Sequence, residues 1–211
     1  MRIMLSTHSS GTTHYLAGRY PDSVGWLISP GAFKEPREWL PYALDNGKFG
    51  AWKNQTHWFE AQFFELLDRC KICRFKPMWV LVPDAVGNKE ETKLLWPRYE
   101  KDIRRYGWPL AFAVQDGMTI RDVPTSADVI FVGGTTTWKW RNAANFVAAF
   151  PRVHVGRVNW VDKLEYCEQL GVESCDGTGF FRGGPDSIQA EQLKDFIAGH
   201  RRCREQQELF V

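Results

Sequence analysis

Apolar runs of four or five residues punctuate this chain, and most of them stop on a polar residue or a glycine. Arg2 to Ser6, Gly25 to Ser29, Pro41 to Leu44, Met78 to Val82, Leu110 to Val114, Val129 to Val132, Val153 to Gly156 and Val172 to Cys175 read as short strands. Between the later runs the spacing turns helical. Thr56 to Cys70 sets Trp58, Phe59, Phe63, Leu66 and Leu67 on one face, and Lys89 to Tyr106 does the same with Leu94, Leu95, Tyr99 and Ile103. Pro97 marks a kink or a break in the second. Trp138 to Phe150, Trp160 to Leu170 and Ser187 to His200 complete the predicted helices, with Gly171 suited to a C-cap and Ser187 to an N-cap. Thr7 to Thr13, rich in Ser, Thr and Gly, reads as a loop.

Alternation of strand and helix implies a parallel sheet. Eight such units predict a compact (β/α)8 barrel forming a single domain over residues 1–211, near the lower end of the usual size. The early connections are short, so one or two outer helices are expected to be missing. A doubly wound open sheet is the alternative, but no G-x-G-x-x-G follows the first strand.

In a barrel of this kind the C-terminal strand ends open on one face, and the active site lies there. Asp45, Asp84, Gln115, Gly133-Gly134 and Asp176 all hold that position. Carboxylates brought together repel, which raises the pKa of one and suits it to acid–base work. Taken singly, a strand-end Asp is as well read as a helix cap or turn former. Ser29 reads as a turn residue, and His154, inside a strand, as a satisfied core or pocket residue before a catalytic one. Arg157 is placed either to hold a phosphate or to make a structural ion pair.

The net charge of +2 does not by itself call for a nucleic-acid partner. Basic residues do cluster, at Arg98 to Arg105 and at His200-Arg201-Arg202-Cys203-Arg204, where a solvated helix face competes with a polyanion footprint. Ten tryptophans suit either a Trp-rich core or a base-binding surface. Five irregularly spaced cysteines imply no disulfide framework, hence a reducing compartment. The start, Met1-Arg2-Ile3-Met4-Leu5-Ser6, is too short for a signal peptide's apolar region, and no run is long enough to span a membrane. The expectation is a cytoplasmic protein.

Asp45-Asn46-Gly47-Lys48-Phe49 resembles the Asp-Ser-Gly-Gly-aromatic motif of tRNA-guanine transglycosylases. Asp84 after a β-run, Gln115 in Ala-Val-Gln-Asp-Gly, Gly133-Gly134 and Asp176 follow in that family's order. The whole pattern, with Val-Pro-Asp-Ala-Val-Gly-Asn, Val-Gly-Gly-Thr-Thr and Asp-Gly-Thr-Gly, is closer still to the short DNA-guanine transglycosylase-like proteins of phages and bacteria, over about Trp26 to Arg182. The resemblance implies exchange of guanine in DNA for a 7-deazaguanine base such as 7-cyano-7-deazaguanine or a derivative. It makes Asp176 the nucleophile toward the sugar and Asp45 the proton shuttle. Phe49 would stack on the base, Asp84 and Gln115 would read its edge, and the Gly133 and Gly134 backbone would bond its carbonyl. Arg157 and Arg182 are candidates for the nucleic-acid backbone, by position.

The chain lacks the Cys-x-Cys-x-x-Cys zinc run of the tRNA enzymes. Cys70 and Cys73 with His200 and Cys203 could in principle give four zinc ligands, but they lie on helix ends far apart in sequence, so no cofactor is expected and zinc is the lesser alternative. No RNA-binding appendage is visible, and Lys48 stands where the family's loop has a small residue. Two other readings keep the pocket: an N-glycosidase or ribosyl-transfer enzyme on RNA or nucleosides, and a non-catalytic barrel that binds guanine-like bases. No feature fixes an oligomeric state.

Overall fold

A computed structural model describes residues 1–6, 11–184 and 186–208, with side chains described as far as residue 199. Eight parallel strands close into a barrel in sequence order: β1 (Arg2–Ser6), β2 (Val24–Ile28), β3 (Tyr42–Leu44), β4 (Val80–Leu81), β5 (Leu110–Val114), β6 (Val129–Val132), β7 (Val153–Val155) and β8 (Ser174–Asp176), with β8 paired back to β1. The predicted (β/α)8 architecture is therefore the observed one.

Helices cover the outside: α1 (Gly11–Arg19), α2 (Lys48–Lys53), α3 (Glu60–Lys71), α4 (Lys89–Arg104), α5 (Thr136–Ala149), α6 (Val161–Gln169) and α7 (Ile188–Glu208). Two connections lack an α-helix. Residues 29–41 run from β2 to β3 without one, and 115–128 run from β5 to β6 with only a 3-10 turn at Ile120–Asp122. The first connection does carry a helix. Gly11 to Thr13, expected in a loop, open α1, and the rest of that expected loop (residues 7–10) lies outside the described residues.

Strand side chains alternate between two layers, as the period of two requires. Ile3, Leu5, Val24, Trp26, Ile28, Tyr42, Leu44, Val80, Leu110, Phe112, Val114, Ile130, Val132, Val153, Val155 and Cys175 face out and pack with the helices. Met4, Leu27, Ala43, Trp79, Leu81, Ala111, Ala113 and Val129 fill the barrel interior. The inside is tight. A Cβ on Gly25 would sit 2.7 Å from the Met4 sulfur, and small residues on β3 and β5 leave room for Trp79.

The helices correct the sequence reading in detail. Leu94 is 73% exposed, and Trp96 takes the inward place on α4 beside Tyr99 and Ile103. Phe59 is likewise exposed at the start of α3. α4 runs unbroken through Pro97. The caps fall where expected. Ser187 Oγ accepts from Ala190 N–H at 3.2 Å, and Gly171, at φ 78°, donates to Glu168 O after α6. The basic run on α4 spends itself on surface pairs, Arg98 with Glu60, Arg104 with Glu100 and Asp128, and Arg105 with Asp102, so it reads as a solvated face. The second run, His200 to Arg204, has its side chains outside the described residues. Among the described residues no helix is long and apolar enough to cross a membrane.

Candidate active site

Counting in twos along the strands places the chemistry. Ile28, Leu44, Val114, Val132 and Val155 all face outward, so the next residue on each strand continues on the inward face at the C-terminal rim. Those residues are Ser29, Asp45, Gln115, Gly133 and Gly156. Asp176, two residues past buried Ser174, joins them from β8. One cleft at this rim is lined by Asp45, Asn46, Phe49, Asp84, Gln115, Gly133, Gly134, Arg157 and Asp176, with Leu27, Leu81, Val86 and Phe131 as its apolar walls.

Asp176 is held on one side. Its Oδ1 meets His154 Nε2 at 3.0 Å and accepts the Arg157 backbone N–H at 3.2 Å. His154 is wholly buried, stacked on Phe131 and edge-on to Trp79, each at 4.7 Å between ring centroids. Its Nδ1 lies 2.9 Å from Ser174 Oγ. A carboxylate only accepts, so Nε2–H is the donor to Asp176, and Nδ1 shares the remaining hydrogen bond with the Ser174 hydroxyl. Ser174 is sealed in the interior and serves as the last link of this chain. The arrangement fixes Oδ1, and among the described residues no donor meets Oδ2 of this cleft-lining side chain.

Asp45 accepts from Ser29 Oγ at 2.9 Å. Burial pushes its carboxyl up to about 6; the Ser29 hydrogen bond opposes this, and the Asp176 and Asp84 charges add to it. It is thus a carboxyl that changes protonation close to neutrality. Ser29 is more than a turn former, since it orients this acid.

Asp84 is buried and accepts twice, from Asn46 Nδ2 and from Gln115 Nε2, each at 2.7 Å. Burial raises its pKa, while the Asn46 bond and the charges of Lys48 and Arg157 hold it down. Gln115 Oε1 accepts from the backbone N–H of Gly87 (2.9 Å) and of Gly134 (3.1 Å). The amide is therefore oriented from both ends, with one Nε2 hydrogen left over. Gly133 N–H donates to Val114 O. Both glycine N–H groups expected to bond a base carbonyl are thus already engaged within the protein. What these glycines supply is space. A Cβ on Gly134, at φ 67°, would lie 2.6 Å from the Trp138 ring and 2.7 Å from Asp116.

Phe49 comes from α2, and the Arg157 guanidinium sits 4.6 Å above its ring while also donating to Gly134 O. Arg157 makes no ion pair within 4 Å among the described residues, so of its two expected roles the structural ion pair is not the one seen. Arg182 is exposed at the end of a 3-10 turn and does not line the cleft. The zinc question is narrowed. Cys70 is buried in the core, where burial raises its thiol to about 12, and Cys73 donates to Arg69 O. No group of three His, Cys, Asp or Glu with metal-site geometry exists among the described residues, and the side chains of His200 and Cys203 lie outside them.

The loops after β7 and β8, a frequent phosphate site in such barrels, are bound to each other here. Gly179 N–H donates to Asn159 Oδ1 at 2.8 Å and Val158 N–H to Asp176 O at 2.5 Å. A Cβ on Gly177 would fall 1.9 Å from Val158 O. Gly177→Ala is therefore expected to push the two loops apart, lowering stability by about 1–3 kcal/mol and disturbing Asp176. A thermal melt and an activity assay check this; an unchanged melting temperature would refute it.

No protein-family model matches the chain, and no curated protein matches it. Solved structures do. A chain of the tryptophan synthase a2b2 complex of Pyrococcus furiosus is 10% identical with a TM-score of 0.57, covering 93% of this chain and 95% of that one. The 3-hexulose-6-phosphate synthase of Salmonella typhimurium is 13% identical with a TM-score of 0.57, covering 95% and 100%. The phosphoribosyl anthranilate isomerase of Thermus thermophilus is 13% identical with a TM-score of 0.54, covering 94% and 97%. At such identities the likeness is one of fold: the chain is a (β/α)8 barrel.

Proposed function

We propose that this barrel is a base-exchange transglycosylase that replaces guanine in DNA with a 7-deazaguanine base through a covalent Asp176–sugar intermediate. What supports this most is the pairing, in one cleft, of a carboxylate anchored through one oxygen only among the described residues, Asp176, and a carboxyl that protonates near neutrality, Asp45. Cleaving an N-glycosidic bond needs both. Positive charge grows at the anomeric carbon, and the departing purine must gain a proton.

Asp176 Oδ2 attacks the anomeric carbon as the bond to guanine breaks. The electron pair goes to the leaving base, which takes the Asp45 proton. The incoming base then gives its ring N–H proton to the Asp45 carboxylate and attacks the same carbon, and Asp176 leaves as a carboxylate. Asp84, fixed by Asn46 and Gln115, keeps lone pairs for the N–H edge of a guanine-like ring. The spare Nε2 hydrogen of Gln115, rather than the occupied glycine N–H groups, faces the ring carbonyl. Phe49 and the apolar walls take the ring faces.

The cleft holds about 90 Å³ of free space. By a measure in which one water needs about 10–15 Å³, that suits one ring system and not a whole nucleotide. A base turned out of its strand meets this requirement. Exposed Trp52 on α2, 5.8 Å from Phe49 between ring centroids, continues the aromatic surface outward for a neighbouring base. A sugar-phosphate substrate finds less support, because the β7 and β8 loops are bonded to each other.

Intact-mass analysis of protein incubated with guanine-containing DNA, RNA or free nucleosides is the test. A sugar-polymer adduct on Asp176 with DNA is expected. An adduct only with RNA or nucleosides would move the acceptor, and binding of guanine with no adduct on any of the three would overturn the enzyme reading.

A further inference from the structure

Beneath the cleft, α5 turns Lys139 into the protein, where it is 1% exposed. Its ammonium donates to two backbone carbonyls, Gly156 O and Arg157 O, the latter at 3.3 Å, and lies 4.8 Å from the Trp140 ring centroid. Among the described residues no carboxylate comes within 4 Å of it. A buried ammonium without a counter-ion is unfavourable in an ordinary helix–barrel interface, where an apolar side chain would serve. It is accounted for if the two carbonyls have to be held.

Those carbonyls belong to an unusual turn. Arg157 has φ 57°, a left-handed conformation that side chains other than glycine, asparagine or aspartate rarely adopt. Such backbone persists only where its surroundings over-determine it. The turn gives the cleft two things: the Arg157 N–H that grips Asp176 Oδ1, and the guanidinium that sits over Phe49. Gly156 also leaves room for the Phe131 ring that stacks on His154, since a Cβ there would lie 2.6 Å from it.

We infer that Lys139 is a positioning residue: by bonding the Gly156 and Arg157 carbonyls it locks the left-handed turn that orients Asp176 and Arg157 in the cleft. It touches no substrate. Its kinetic consequence rests on the base-exchange reading; its structural consequence does not. The ionisable groups around it are Arg157, Asp176, Cys167 and Cys175, and burial, then the Arg157 charge, lowers its pKa to about 8.

Lys139→Met keeps the aliphatic stem and removes the donors. Backbone amide NMR of the folded variant is expected to show large shifts at Arg157, Val158 and Asp176, with the amides of β2 to β4 unchanged. In the wild-type protein the Arg157 and Val158 amides are expected to titrate near pH 8 as the ammonium loses its proton. In a base-exchange assay kcat is expected to fall at least tenfold while the KM for the incoming base stays within threefold, and Lys139→Gln, which keeps a donor, recovers part of the loss. Unshifted amides in the folded variant, or wild-type amides that stay put while the Lys139 side chain itself titrates, would overturn the assignment. The wild-type titration decides it even if neither variant folds. A wild-type protein that exchanges no base would sink the proposed activity and leave the NMR result to judge Lys139 alone.

Discussion

Asp176→Ala is expected to abolish base exchange, by roughly 10³-fold or more, and to remove the covalent adduct altogether. Among the described residues this carboxylate takes two donors on one oxygen and none on the other. Without it no atom of the protein bonds to the sugar carbon. The alanine also strands the buried His154 Nε2–H, which costs about 1–3 kcal/mol, so a fall in activity alone would be ambiguous. Asp176→Asn separates the effects. Its amide oxygen still accepts from His154 and Arg157, so the fold is kept, but a neutral amide is a poor nucleophile. Release of labelled guanine from DNA, followed for both variants at matched thermal stability, is the measurement. Exchange at the wild-type rate in either one would remove Asp176 from the nucleophile's role.

Asp45→Asn is expected to cost about 10²–10⁴-fold in exchange, the usual weight of a general acid–base group. The pH dependence follows from its raised carboxyl. The acid form that protonates the leaving base is present below about 6 and is lost as pH rises through that value. The departure step should therefore slow on the alkaline side, and the variant should lose that limb. Stability should move the other way. A carboxyl with a folded pKa above its unfolded one stabilises the fold below the unfolded value, and loses that contribution as pH rises through the folded one. At pH 7 the wild-type protein carries the cost of an ionised Asp45, so the asparagine variant should be more stable by on the order of 1–2 kcal/mol. Melts at pH 4 and pH 7 check this: the gain should appear at pH 7 and fade at pH 4. A variant less stable at pH 7 would contradict the burial of a charge there.

Not all of the cleft was equally legible from residues alone. Asp45, Asp84, Gln115 and Asp176 stand out because each ends an apolar run, and a run that stops on a polar residue marks a strand leaving the core. His154 reads as a satisfied core or pocket residue and is one, since Val153 and Val155 face outward and put the residue between them inside the barrel; what the sequence does not show is that Asp176 is one of its partners. The same counting turns Ser29 toward Asp45. Lys139 is marked differently. It stands at i, i+4 and i+7 with Ala143 and Phe146, so the helical count puts it on the buried face of α5 against its residue type, and only the tertiary structure shows that its ammonium meets the Gly156 and Arg157 carbonyls. On α4, Trp96 stands at i, i+3 and i+7 with Tyr99 and Ile103, so the helical count itself favours it over Leu94 for the buried face.

The sequence by itself determined the eight strands, their order and the rim on which the polar residues gather, because strand periodicity and turn chemistry are local properties of the chain. Only the tertiary structure decided which donor each acceptor meets. Asp176 finds His154 across 22 residues, Asp84 finds Gln115 across 31, and Gly134 gives its N–H to Gln115 and not to the open cleft. Barrel closure sets these partnerships, since hydrogen bonds hold over about 3 Å and the spacing along the chain says nothing of distance across the barrel.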